Sequence, residues 1–120
     1  MGKRLVHVEF PAQDLERGRK FWEGVGDWSV NDAGMEGMQY LMWQEGDQGG
    51  AVYSMEGRSE TMVYLGSDDI DADLAKVKEL GGEAGDKQAI PHVGYSARCK
   101  DSEGNTFSLF QSDESVTPAQ

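Results

Sequence analysis

Two residues near the start of the chain have types and spacing suited to chemistry. His7 and Glu9 sit at alternate positions of Leu5-Val6-His7-Val8-Glu9-Phe10, so an extended backbone puts both on one face while Val6, Val8 and Phe10 take the other. An imidazole with an ordinary pKa near 6.5 exists in both protonation states around neutrality. A carboxylate beside it can orient the ring or share a proton with it. Two readings of His7 follow: a general base or ligand-orienting group, or a neutral histidine hydrogen-bonded inside a polar surround.

The elements that must hold this pair are legible from patterning. Residues 4 to 10 read as a strand. Asp14 reads as the N-cap of a helix carrying Leu15, Arg19, Trp22 and Val25, and Gly26 as its stop. Gly18 weakens that helix by about 1 kcal/mol relative to alanine, which leaves more to the packing of Phe21 and Trp22. Trp28-Ser29-Val30 and Met38 to Gln44 read as two short strands, with Met38, Tyr40 and Met42 on one face and Gln39, Leu41 and Trp43 on the other. After the turn at Gly46 to Gly50 comes a strand over 51 to 55, then a polar linker, Glu56-Gly57-Arg58-Ser59-Glu60.

The second half repeats this plan. A strand over 61 to 66 precedes a helix from about Asp71 to Leu80 with Ile70, Leu74, Val77 and Leu80 on its apolar face, ended by Gly81-Gly82. Residues 94 to 111 form a hairpin: Tyr95, Ala97 and Cys99 alternate with polar residues, Asp101 to Asn105 supply the turn, and Phe107, Leu109 and Gln111 return. One fixed offset aligns Val8 with Val63, Asp14 with Asp69, Gly26 with Gly81, Tyr40 with Tyr95 and Gly49 with Gly104. Strand, cap, helix stop and turn fall in register without a gap, as two copies of a β-α-β-β-β unit require.

The late segment Gly94-Tyr95 through Glu103-Gly104-Asn105 and Phe107 resembles the closing hairpin of the vicinal oxygen chelate superfamily, which includes glyoxalase-like, bleomycin-resistance-like and extradiol-dioxygenase-like proteins. Val6 to Ala12 with Asp14-Leu15-Glu16-Arg17 and Phe21-Trp22 resembles its opening strand and helix, Val63 to Gly82 its second strand-helix unit, and Ile90 to Tyr95 its late loop. The resemblance implies an α+β fold: two tandem units forming a cupped, mostly antiparallel, eight-stranded half-barrel with helices outside. Length and patterning give one domain over 1–114, with unit one at about 4–55, linker 56–60, unit two at about 61–111, and a polar, frayed tail over 112–120.

Superfamily enzymes hold a divalent metal through the first and last strands of each unit. The matching positions here are His7, Tyr53, Met62 and Ser108, of which His7 alone is a usual ligand; a thioether is soft, a phenol costly to ionise and a hydroxyl weak. The expectation is therefore no metal and no other cofactor, with Glu9 as the residue that could rescue a metal site. The resemblance instead implies a small-molecule cup lined by His7, Glu9, Trp43, Tyr53, Met62, Tyr64, Ser108 and Phe110, with His7 and Glu9 as candidate catalytic groups and Tyr53 across from them. His92, next to Pro91, lies on a loop that either closes the cup or is a surface turn. Cys99 packs as a small apolar residue.

Composition bounds the function. The chain has 120 residues, 22 acidic against 11 basic, and a net charge of -11, a field that repels phosphate backbones and disfavours nucleic acid. The same charge suits a cationic or neutral ligand, or is a solvated surface. A single cysteine excludes an internal disulfide, and no apolar run approaches the roughly 18 residues of a membrane span. With no secretory signal in MGKRLVHVEF, the expected compartment is the cytoplasm. The expected function is metal-free binding of a small organic molecule, with a homodimer implied by resemblance. The alternatives are a metal-dependent lyase, isomerase or extradiol dioxygenase, and an accessory domain with a vestigial cup.

Overall fold

The structure is a computed structural model that describes residues 2–32 and 39–117. It is an α+β chain whose order is β1 (Leu5–Pro11), α1 (Leu15–Gly26), β2 (Asn31–Asp32), β3 (Gln39–Glu45), β4 (Gln48–Ser54), β5 (Met62–Gly66), α2 (Ile70–Glu79), β6 (Glu83–Ala84), β7 (Gln88–Ile90), β8 (Gly94–Lys100) and β9 (Thr106–Ser112). Among the described residues there are thus nine strands rather than eight. The extra one arises because β6 and β7, both paired with β8, divide the place of a single strand. Met38, expected to open β3, lies outside the described residues. No helix among them is long and apolar enough to cross a membrane.

The chain forms two compact units, His7–Met62 and the residues up to Val6 together with those from Val63 onward. The opening residues join the later unit instead of the earlier one because they bond there: the Gly66 N–H donates to the Arg4 carbonyl at 2.8 Å, and Lys3 pairs with Asp73 at 3.2 Å.

In the His7–Met62 unit the strand order is β2-β3-β4-β1. β1 runs parallel to β4, pairing Val8 with Gly50 and Pro11 with Tyr53, and β3 runs antiparallel to β4, pairing Tyr40 with Tyr53 and Trp43 with Gly50. The parallel pair needs a crossover, which α1 supplies. The Asp14 carboxylate caps α1 by accepting from the Arg17 N–H at 3.0 Å. The helix runs through Gly26, and Asp27, with φ 58°, takes the left-handed position expected of the glycine; a short polar side chain tolerates that conformation.

The core between α1 and the sheet holds Val30, Trp43 and Val52, with Phe10, Leu15, Trp22, Trp28 and Leu41 against them. Aromatic stacking dominates it. Phe10 lies 4.0 Å from Trp22, and Trp28 lies 3.6 Å from Trp43 with the ring planes within 1°. Gly18 is explained by close approach: a Cβ there would sit 2.7 Å from the Ala12 Cβ. Phe21 and Val25, expected to pack, are 57% and 68% exposed, because helix and sheet meet along the Gly18 and Trp22 side.

In the later unit β5 runs parallel to β9, and β8 runs antiparallel to β9 from Gly94↔Ser112 to Lys100↔Thr106. Asp69 caps α2, accepting from the Ala72 N–H at 3.1 Å, which reproduces the Asp14 cap at the aligned position. Ile70, Ala97, Cys99 and Leu109 form the core with Leu65, Leu74, Val77, Tyr95 and Phe107. The alignment of Gly49 with Gly104 does not extend to conformation. Gly104 is a turn residue with φ 86°, whereas Gly49 lies within β4 and Gly46 takes the turn with φ 60°. The tail, expected to fray after Gln111, is held through its described residues: the His92 N–H donates to the Val116 carbonyl at 2.8 Å, Asp113 donates to Val93 at 2.9 Å, and Val116 is buried.

Candidate functional site

Alternation along β1 buries Phe10 against the α1 aromatics and sends Glu9 to the other side of the sheet, where it is only 5% exposed. A carboxylate so placed needs compensation. Its partners include Arg58, whose Nη2 donates to Glu9 Oε1 at 3.1 Å, and Tyr40, whose hydroxyl donates to Glu9 Oε2 at 2.6 Å. Tyr40 reaches Glu9 because Leu41 and Trp43, its neighbours in alternation on β3, take the α1 side.

The Tyr40 oxygen also lies 2.6 Å from His7 Nε2. Since the single phenolic proton goes to the carboxylate, the imidazole must donate, so neutral His7 carries its proton on Nε2 and the lone pair on Nδ1. Burial lowers the His7 pKa below its ordinary value, and the Glu9 charge, 4.0 Å away, offsets this only in part. The result is a row, His7–Tyr40–Glu9–Arg58, donating in one direction towards the carboxylate from the imidazole side and from the guanidinium on the other.

Arg58 arrives on a turn. Its N–H donates to the Met55 carbonyl at 3.1 Å, and Gly57, with φ 84°, occupies the position that demands a left-handed residue. The turn returns the guanidinium over the Tyr53 ring, 4.7 Å from its centroid, and the Tyr53 hydroxyl donates to the Glu60 carbonyl at 2.8 Å. Glu9, Gln39, Tyr40, Tyr53, Ser54, Met55 and Arg58 line a cavity of about 240 Å³. Beside it lies a wider groove of about 820 Å³, which shares Gln39, Ser54, Met55 and Arg58 and extends along Pro11, Ala12 and Gln13.

The sequence model of the glyoxalase-like domain matches residues 6–110. This chain belongs to the glyoxalase-like domain family. It is thereby a member of the vicinal oxygen chelate superfamily. No curated protein matches the chain by sequence. Solved structures share the glyoxalase-like fold at low identity. A hypothetical protein from Bacillus halodurans C-125 is 14% identical with a TM-score of 0.73, covering 98% of this chain and 100% of its own. A glyoxalase/bleomycin resistance protein/dioxygenase superfamily member from Vibrio splendidus 12B01 is 13% identical with a TM-score of 0.67, covering 91% and 98%. Methylmalonyl-CoA epimerase from Mycobacterium tuberculosis is 11% identical with a TM-score of 0.69, covering 91% and 87%.

The divalent metal common in this superfamily is a poor fit to the donors present. Of His7, Tyr53, Met62 and Ser108, only His7 offers an ordinary ligand, and the Tyr53 hydroxyl is donating to a carbonyl. Glu9, the potential rescue, already binds Arg58 and Tyr40. Among the described residues no three His, Cys, Asp or Glu side chains cluster as a metal site would need.

The glyoxalase-like chain brings some of the sequence-derived site residues together and separates others. Glu9 and Tyr53 line the cavity, and His7 reaches it through Tyr40. Trp43, proposed from sequence for the ligand side, stands in the α1 core against Trp28; strand alternation with Tyr40 dictates that side. Met62 is fully buried at the start of β5. Tyr64 and Ser108 are paired neighbours in the later unit, and with Phe110 they alternate with Leu65 and Leu109, which pack towards α2. His92, with φ 64°, is an exposed turn residue. Tyr40 and Arg58 line the cavity without having stood among the sequence-derived site residues. Alternation already set Tyr40 apart from Trp43, whereas Arg58 stands in an aperiodic linker that carried no signal.

Proposed function

We propose that this glyoxalase-like protein binds a small organic molecule in the cavity of the His7–Met62 unit, without a catalytic metal, as a cytoplasmic homodimer. The observation that carries the reading is the cavity wall itself, in which a buried carboxylate, two tyrosines and an arginine converge on a space of about 240 Å³. A few fixed polar groups in a recess are how small-molecule sites orient their ligands. The weak donor set at the superfamily's metal positions supports the metal-free part. A fragment screen by NMR, on protein dialysed against chelator and labelled at its tyrosine rings, tests it. Ligands that shift Tyr40 and Tyr53 are expected; a screen in which neither ring responds, or responds only after metal is added, refutes the reading. Native mass spectrometry reads the subunit count.

The hydrogen-bonded row favours one second reading, an acid–base enzyme in which His7 and Tyr40 hold the Glu9 carboxylate in place to take or give a proton. Deuterium uptake from heavy water into a bound carbon acid, lost on Glu9→Gln, would distinguish it from simple binding.

A further inference from the structure

Building on the small-molecule reading above, we infer that the Glu9 cavity recognises an organic cation of the guanidinium or alkylammonium class, and that Arg58 fills this site from within the chain until such a ligand displaces it. The recognition groups are those an organic cation needs. Glu9, 5% exposed, supplies a carboxylate that must be matched by positive charge; the Tyr53 face attracts a cation through its ring quadrupole; and Tyr40 fixes the second carboxylate oxygen. Arg58 engages the first two at once, at 3.1 Å from the carboxylate and 4.7 Å from the ring centroid. It thereby marks where the charged head of a ligand sits.

The groups differ in how firmly the fold holds them. Glu9, Tyr40 and Tyr53 stand on three adjacent strands, with Tyr53 paired to both Tyr40 and Pro11. Arg58 stands on a turn whose Met55, Glu56 and Gly57 are exposed, attached through an isolated bridge to Met55. Moving the guanidinium therefore leaves the strand ladder intact, and the exposed turn residues that carry it are the part of the site that can shift without unpairing a strand. The wider groove shares Arg58 and Met55 with the cavity, so it gives room both for the displaced side chain and for the uncharged part of a ligand. The net charge of -11 raises the local concentration of cations and lowers that of anions.

Methylguanidinium chloride, titrated against equal sodium chloride and followed on the Tyr40 and Tyr53 ring resonances, tests the inference in the full chain. Arg58→Met removes the internal cation while keeping bulk, and it is expected to bind the probe at least about tenfold more tightly than the parent protein. Adding Glu9→Gln to that variant is expected to abolish the gain. Equal affinity with and without Arg58, or a gain that survives loss of Glu9, overturns the inference. If Arg58→Met unfolds, the probe is expected to restore its folding where sodium chloride does not, and failure of that rescue is equally fatal. Neutral fragments that shift both rings while removal of Arg58 gains nothing for the cation would refute the ligand class and leave small-molecule binding standing; silence from every probe would refute both.

Discussion

Tyr40 and Glu9 are joined by a 2.6 Å hydrogen bond across 31 residues of sequence, and the same tyrosine oxygen accepts from His7. One hydroxyl thus satisfies a buried carboxylate and fixes an imidazole tautomer. Tyr40→Phe removes both interactions and is expected to lower stability by about 1–3 kcal/mol in urea unfolding, the cost of leaving buried polar groups short of a partner. Nitrogen NMR should then show His7 losing its preference for the Nε2-protonated form. A variant as stable as the parent, with an unchanged tautomer, would show that the row is incidental.

The pH dependence follows from His7. Burial puts its folded pKa below the ordinary 6.5, so between those two values the unfolded chain binds the extra proton. Stability should therefore rise as pH climbs from the folded pKa to about 6.5, with the His7 contribution fully present above that and lost on acidification. Comparing urea midpoints of the parent and His7→Gln across this window isolates the effect. A His7 contribution that grew on acidification would contradict the assigned direction.

Trp28 and Trp43 test the core beneath the site. Trp43→Ala deletes one half of a face-to-face stack and leaves a cavity beside Val30 and Val52, which is expected to cost about 3–5 kcal/mol and to remove near-ultraviolet exciton features. Gly50→Ala should also destabilise, because its Cβ would lie 2.4 Å from the Val8 carbonyl oxygen and 2.6 Å from the Trp43 ring. Neither backbone nor a stacked indole can yield easily. Full stability of Gly50→Ala in thermal melts would mean β1 and β4 are spaced more widely than described.

Cys99 is 2% exposed, and burial pushes its thiol pKa up, against a smaller opposing effect of the Gly85 backbone. Thiolate is the reactive form, so the residue should resist disulfide reagents until the later unit opens. Its modification rate should follow the unfolding equilibrium through a urea series. Rapid labelling of native protein would place Cys99 elsewhere.

Metal dependence is a direct check on the proposed function. Dialysis against EDTA is expected to leave melting temperature and ligand binding unchanged, and elemental measurement of protein prepared without chelator should find no stoichiometric divalent ion. An equivalent of zinc, manganese, nickel or iron lost on His7→Ala would overturn the metal-free proposal.

Local, periodic features are legible in the order of the residues. Asp14 and Asp69 announced two helix starts, and both carboxylates accept as N-caps should; alternation put Glu9 opposite Phe10 and Ala97 with Cys99. Such signals survive in one sequence because each arises from residues within a turn or two of one another. Which distant groups meet depends on how the strands pair and where the chain turns. Tyr40 comes between His7 and Glu9 through the pairing of β3, β4 and β1, and Arg58 returns to Glu9 across 49 residues because Gly57 reverses the chain. Periodicity specifies the face a side chain takes; register and turn geometry choose its partner, and a polar linker such as 56–60 has no period from which that choice can be read.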